Sequence, residues 1–182
     1  MPEYTPVWSD AASFGEAIFI AGDALDTLSR QAEELVSATV SFHDIYRYAT
    51  DPDAHASPAL AWALATNDRV RDDLHRLLRR TAPLQQFSRA AASTGTITTR
   101  QGAGFEMILR DSRADRDQIY LIIRLGDLSH PVPATLFVLE DGAGCRKVPL
   151  PMAADGVIQM LLDVTSDLAL SLRDPKTDVF LR

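Results

Sequence analysis

The sequence has a single cysteine, Cys145, and only two lysines among its 182 residues. One cysteine cannot form a disulfide within the chain, which excludes a disulfide-stapled fold and fits a reducing compartment. The N-terminal stretch lacks the basic residues that open a secretory signal, and no run approaches the roughly 18 apolar residues of a membrane span. We therefore expect a cytoplasmic protein that does not enter a membrane.

Basic residues are fewer than acidic ones, 18 against 25. The formal net charge is −7 and the isoelectric point is about 5.0. Residues 1–92 carry a net charge of −5 and residues 93–182 carry −2, so neither half has a surplus of lysine and arginine. Proteins that bind nucleic acids or anionic membranes through charge need such a surplus. The sequence thus predicts neither kind of partner.

Motifs typical of phosphate binding are absent as well. The stretch TRQGAGFEMILRDS, residues 99–112, has two glycines of a dinucleotide-binding loop but not the third. Such a loop leads into a helix, whereas here the apolar residues Phe105, Met107 and Leu109 alternate with others, as in a strand. The two glycines are therefore predicted to form the turn of a hairpin.

No pair of histidines has the spacing of a metal-binding helix. The four are His43, His55, His75 and His130. A site formed by His43, Asp44 and His55 is conceivable, but isolated histidines rarely bind metal, and we place His55 in solvent. The acidic loop DSRADRD, residues 111–117, lacks the glycine and the glutamate of a calcium loop. We predict no metal site and no cofactor.

Candidate nucleophiles are few. Cys145 lies beside Arg146 and Lys147, whose charges would lower the pKa of its thiol, but no base accompanies it. A lone thiol at the start of a strand is usually structural, and the sequence has no GxSxG nucleophile elbow. We assign no catalytic residue. The sequence favours a protein that is not an enzyme, without deciding the question.

What the sequence does contain is an apolar stripe with alternating steps of four and three residues, the heptad pattern of a long amphipathic helix. Its members are Phe14, Ile18, Ala21, Leu25, Leu28, Ala32, Leu35, Thr39, Phe42, Tyr46 and Ala49. The stretch TDPD, residues 50–53, ends the helix, because a residue before proline leaves the helical region. Such a helix would be about 57 Å long, so we expect it to bend, break or project toward a partner.

Two or three shorter helices should follow. Ser57 and Pro58 begin the first, as cap and first helical residue, and residues 69–80 form the second. A third is expected after Pro83. The arginines of RVRDDLHRLLRR are predicted to form a salt-bridged solvent face, in which Arg76 pairs with Asp72, four residues before it, or with Asp73. The alternative is a patch for an acidic protein partner, formed by Arg76, Arg79 and Arg80.

From about residue 93 the helical periodicity stops, and short β-favouring runs alternate with turn residues. The predicted strands are residues 96–100, 105–110, 118–125, 134–139, 146–150, 157–163, 168–172 and 178–181. The runs IYLIIRL and ATLFVLE are apolar at successive positions, so both of their faces need cover. We therefore expect the helices to pack at least partly on the β region.

The predicted fold is α+β, in two regions that share one core if the helices cover the sheet. Residues 1–92 form a helical region, with the long amphipathic helix and two or three shorter ones. Residues 93–182 form an antiparallel, β-sandwich-like region.

Two function classes fit these features. The first is a non-enzymatic cytoplasmic interaction or regulatory protein of bacterial type, which binds a partner protein or itself through the helical region. Its seam to the other chain is formed by Phe14, Ile18, Leu25, Leu28 and Leu35, although packing of this stripe into the core stays open. The second is a small-molecule-binding protein or enzyme with a pocket between the helices and the sheet.

Overall fold

The computed structural model of the chain describes residues 40–86, 97–126, 131–140 and 144–182. Within these ranges the fold is mixed α+β, with four helices and two antiparallel four-stranded sheets. The helices are α1 (Phe42–Thr50), α2 (Pro58–Thr66), α3 (Asp68–Thr81) and α4 (Asp167–Arg173). The strands are β1 (Leu84–Gln86), β2 (Thr99–Gly102), β3 (Phe105–Asp111), β4 (Gln118–Leu125), β5 (Thr135–Glu140), β6 (Gly144–Pro149), β7 (Val157–Asp163) and β8 (Asp178–Leu181). None of the described helices is long and apolar enough to span a membrane.

The predicted long helix does not run unbroken to Ala49, because α1 begins only at Phe42. Ser41 is its N-cap, with extended backbone, and its hydroxyl accepts a hydrogen bond from the Asp44 amide at 3.2 Å. The Ser41 hydroxyl and amide also donate to the Asp44 carboxylate, which completes a capping box and lowers the pKa of Asp44. The earlier part of the stripe, residues 14–39, lies outside the described residues.

Helices α2 and α3 form where their caps predict them. The Ser57 hydroxyl accepts a hydrogen bond from the Leu60 amide at 3.2 Å, and Asn67 caps α3 and alone separates it from α2. The third short helix predicted after Pro83 is wrong for residues 84–86, which form β1. This segment pairs with β8 in the register Leu84 to Leu181, so backbone pairing overrides its local helical preference.

The predicted hairpin turn is confirmed. Ala103 and Gly104 connect β2 to β3, and Gly104 has a φ of 81°, a left-handed conformation that favours glycine. The strands predicted at residues 118–125, 157–163 and 178–181 coincide with β4, β7 and β8.

The strand predicted at residues 168–172 is wrong, because this stretch lies in α4. Alternating leucines at 168, 170 and 172 imitate a strand. However, the Ser166 hydroxyl accepts a hydrogen bond from the Ala169 amide at 3.3 Å and so begins a helix. The buried residues Leu168, Ala169 and Leu172 then fall on one helical face.

The two sheets differ in their neighbours. The first, here called the inner sheet, has the strand order β1-β8-β5-β6, and the second, the outer sheet, has the order β2-β3-β4-β7. Leu136, Val138, Val179 and Leu181 of the inner sheet share one apolar cluster with residues of the outer sheet. Phe137 and Phe180 belong to a second cluster, formed with α1, α2 and α3. The inner sheet is therefore buried on both faces, as the apolar run ATLFVLE indicated.

Candidate functional site

The predicted seam residues Phe14, Ile18, Leu25, Leu28 and Leu35 lie outside the described residues, so the structure places only the end of their stripe. There, Phe42 and Tyr46 lie on the exposed face of α1, with 62% and 47% of their surfaces accessible. Their ring centroids are 6.5 Å apart. The opposite face of α1 is buried and consists of Ile45, Tyr48 and Ala49. Helix α1 therefore carries an apolar group on two faces, one in the core and one in solvent.

The three arginines of the predicted patch, Arg76, Arg79 and Arg80, are exposed on α3. Nη2 of Arg76 donates to Oδ1 of Asp73 at 2.9 Å, and its Nε donates to the Asp72 carbonyl at 3.4 Å. Of the two predicted carboxylate partners of Arg76, Asp73 forms the ion pair, and Asp72 contributes its backbone carbonyl. The pair is exposed and contributes little to stability.

Arg71 on α3 binds the C-terminal end of α2. Its Nη1 donates to the carbonyls of Leu64 at 3.2 Å and Ala65 at 3.0 Å, and its Nη2 binds Asp68. These bonds satisfy the last carbonyls of α2. Arg71 therefore holds the two helices together.

Lys147 on β6 reaches from the inner sheet to the loop between α1 and α2. Its Nζ donates to the carbonyls of Tyr48 at 3.0 Å, Asp51 at 2.6 Å and Ala54 at 2.7 Å. Nζ also lies 5.0 Å from the ring centroid of Tyr48 and 5.6 Å from that of Phe137. All three ammonium hydrogens are used, and the two rings add cation–π attraction. Burial lowers the pKa of Lys147, against the opposing effect of the Asp51 charge.

Cys145 does not have the low pKa that its basic neighbours suggested. The residue is half-buried but its thiol is enclosed, and burial raises the pKa to about 12. This outweighs the opposing effects of the Tyr48 hydroxyl and of the charges of Lys147 and Arg146. Burial also raises the pKa of Tyr48. Cys145 stays protonated at neutral pH, and a thiol in that state is a poor nucleophile.

A cavity of about 400 Å³ lies between the α1–α2 loop and the end of β6. Its apolar walls are formed by Tyr48, Pro52, Ala56 and Pro149. Its polar groups are Asp53 and His55, which are exposed, and Lys147, which is half-buried. The volume falls within the range of small-molecule sites.

A second polar cluster lies where β5 and β6 meet α4. The Ser171 hydroxyl contacts the Glu140 carboxylate and lies 2.6 Å from the Asp167 carbonyl. Nη2 of Arg146 is 4.0 Å from Oε1 of Glu140 and 3.6 Å from Oδ2 of Asp167. These ion pairs are long and partly exposed, so they contribute little to the packing of α4 on the inner sheet.

Arg100 on β2 is buried, with 3% of its surface accessible. Its Nε donates to the Leu172 carbonyl at 2.8 Å, and its Nη1 donates to the Thr177 carbonyl at 2.8 Å and to Oε1 of Gln86 at 2.9 Å. Its Nη2 binds the Asp174 carbonyl. Burial lowers the pKa of Arg100 to about 10, so it remains charged at neutral pH. The guanidinium thus caps the C-terminal end of α4, where a positive charge is favoured.

The structure describes three of the four histidines. His43 and His55 are exposed, and His130 lies outside the described residues. Nε2 of His75 is 2.8 Å from Oδ2 of Asp178, and its ring packs edge-on against Phe180. In the part of the chain that the structure describes, no three His, Cys, Asp or Glu side chains are grouped so that they could hold a metal ion.

Lys147 was not among the predicted site residues and was named only as a neighbour of Cys145, and the alternative of a pocket between the helices and the sheet had no residues assigned to it. Strand alternation was the available signal, because it places Lys147 on the same face of β6 as the buried thiol. Comparison of the chain with protein-family models, with curated proteins and with solved structures found no match.

Proposed function

We propose that the protein is a non-enzymatic interaction or regulatory protein that associates through its helical region. The exposed face of α1 then binds a second copy of the chain. The observation that supports this is the aromatic pair Phe42 and Tyr46, which stays in solvent while the other face of the helix is buried. Neighbouring exposed aromatic side chains are typical of protein interfaces.

A second copy is the favoured occupant because Phe42 and Tyr46 follow the heptad stripe that begins at Phe14 in the sequence, although α1 is a separate helix that begins at Phe42. Identical heptad stripes are complementary to each other in a symmetric pair, in which the same patch is used on both chains. The small members Ala21 and Ala32 suit close packing of antiparallel helices. In this proposal, residues 93–182 form a sandwich-like scaffold. The cytoplasm is the proposed compartment, because the chain has a single cysteine.

Sedimentation velocity over a range of concentrations tests this proposal. The wild type should dimerise, and Phe42→Ser/Tyr46→Ser should weaken dimerisation at least about tenfold, because the apolar contact is lost while the fold is kept. The matched control is Leu161→Ser, which removes an exposed apolar side chain from the outer sheet. A wild type that is monomeric throughout, or a folded double variant that dimerises normally, contradicts self-association. In the first case a different protein would have to occupy this face.

The earlier part of the seam can be tested in the same experiment. Leu25→Asp/Leu28→Asp should abolish association, because charges in a heptad seam are not tolerated, and should leave the β region folded. Far-ultraviolet circular dichroism checks the fold. Unchanged association in this folded variant would remove residues 14–39 from the interface.

A further inference from the structure

The cavity beside Lys147 is rigid and apolar over most of its wall. Pro52 and Pro149 lie on two sides of it, and proline fixes its own backbone torsion. The Tyr48 ring is buried and is held by contact with Phe137, with ring centroids 5.9 Å apart. A wall of this kind accepts the apolar body of a small molecule without rearrangement.

The loop that forms the cavity is fixed before any ligand arrives. Nζ of Lys147 donates to three carbonyls, one in α1 and two in the α1–α2 loop, at 2.6–3.0 Å. The two loop carbonyls belong to Asp51 and Ala54, which come directly before and after Pro52 and Asp53 in the chain. A site that is already ordered loses little entropy on binding.

The inner part of the cavity wall carries the positive charge of Lys147. The ion pairs between described residues do not include Lys147: its hydrogen-bond acceptors are neutral carbonyls, and the charges of Asp51 and Asp53 act on it from beyond ion-pair distance. Asp53 at the rim and Asp51 before it in the loop are both exposed, so water and salt screen their negative charges. The Lys147 charge is half-buried and is screened less. His55, also at the rim, offers a ring nitrogen for a hydrogen bond.

We propose that this cavity binds a small organic carboxylate with an apolar body. The carboxylate group lies between Lys147 and His55, and the apolar body packs against Tyr48, Pro52 and Pro149. Lys147 attracts the ligand through its charge, because its three hydrogens are already bonded, and His55 donates the hydrogen bond. This site uses the loop after α1 and is independent of association through the exposed face of that helix.

Three probes of one shape and different charge test the proposal: phenylacetate, phenylacetamide and phenethylamine. In a ¹H–¹⁵N NMR titration of the full chain, phenylacetate should shift the amide signals of residues 53–56 with a Kd of about 1 mM or tighter. The neutral amide should bind at least about tenfold more weakly, and the amine more weakly still, because each loses the attraction of Lys147.

Charge variants sharpen the test. His55→Ala should weaken phenylacetate binding about tenfold, since a hydrogen bond to a charged group is lost, whereas the control His43→Ala on α1 should not. Asp53→Asn should tighten binding a few-fold, because an opposing charge is removed. Equal binding of acid and amide, preference for the amine, indifference to His55→Ala, or no shift at residues 53–56 with any probe would each overturn the proposal.

Discussion

The two faces of the inner sheet pack against very different surroundings. The face toward the outer sheet buries aliphatic residues such as Leu136 and Val138 against aliphatic residues such as Leu121 and Ile123. The face toward the helices centres on the rings of Phe137 and Phe180. Four side chains with polar groups lie around these rings, namely Tyr48, His75, Cys145 and Lys147.

This difference separates a scaffold from a region able to bind. The contact between the sheets is a continuous apolar core, which is held at one end by Arg100. The helix side includes a cavity, an ammonium without a carboxylate partner among the described residues, and two exposed aromatic rings.

The largest expected effect concerns the reactivity of Cys145. Its pKa of about 12 lowers the thiolate fraction at pH 8 about a thousandfold relative to a thiol at 9.0. Alkylation by iodoacetamide should therefore be very slow in the folded protein and fast in urea, and mass spectrometry measures both rates. Equal rates would show that the helix side is open at this point.

The raised pKa of the Cys145 thiol also makes the stability of the folded protein depend on pH in alkaline solution. The folded pKa lies above the unfolded value, so the contribution of this thiol to stability is complete below about pH 9 and is lost as the pH rises toward about 12. Cys145→Ala should lose less stability over this window. Urea denaturation at several pH values measures the difference, and identical pH profiles would contradict it.

The next largest effect is expected from shortening a side chain in the core between the sheets. Leu121→Ala is expected to lower the free energy of unfolding by about 3 kcal/mol, because the side chain is fully buried and leaves a cavity. Its neighbour Ile122 faces away from this core and is half-buried. Ile122→Ala should therefore cost clearly less in urea denaturation. Equal losses would show that the outer sheet is covered on both faces.

Lys147→Met should lower the free energy of unfolding by about 2 kcal/mol, because three carbonyls lose a charged donor. Hydrogen exchange should accelerate in the α1–α2 loop. The chain offers a matched control in its other lysine, since Lys176 is exposed and Lys176→Met should have almost no effect. If both variants behave alike, Lys147 does not organise the loop.

The smallest effect is expected on the outward face of the outer sheet. Leu161→Ser removes a side chain with 46% of its surface exposed and should change stability by no more than about 0.5 kcal/mol. Thermal denaturation measures it. A large loss would mean that this face is packed against another part of the chain.

The sequence predicts what depends on neighbouring residues. Short β-favouring runs located β4 and β7, and glycine chemistry located the β2–β3 turn, because both signals are local. The same kind of run misled at α4, where leucines two residues apart hid the cap at Ser166. The start of α1 was readable in Ser41 and Asp44, whose spacing is that of a capping box.

The candidate site was not predictable in this way. Lys147 lies 99 residues from Tyr48 and 93 from Ala54 along the chain, and no local pattern joins them. Their meeting follows from the packing of α1 and its loop over β6, which a single sequence does not specify. The division at residues 92 and 93 stays a prediction, because it falls outside the described residues.

Hydrogen–deuterium exchange of the wild type, compared between a dilute sample and one about a hundredfold more concentrated, tests most directly whether association uses the helix side. Our account predicts that residues 42–50 gain protection at high concentration, while β3, β4 and β7 exchange at the same rate in both samples. Protection that appears on the outer sheet, or exchange that does not change with concentration anywhere, would contradict it.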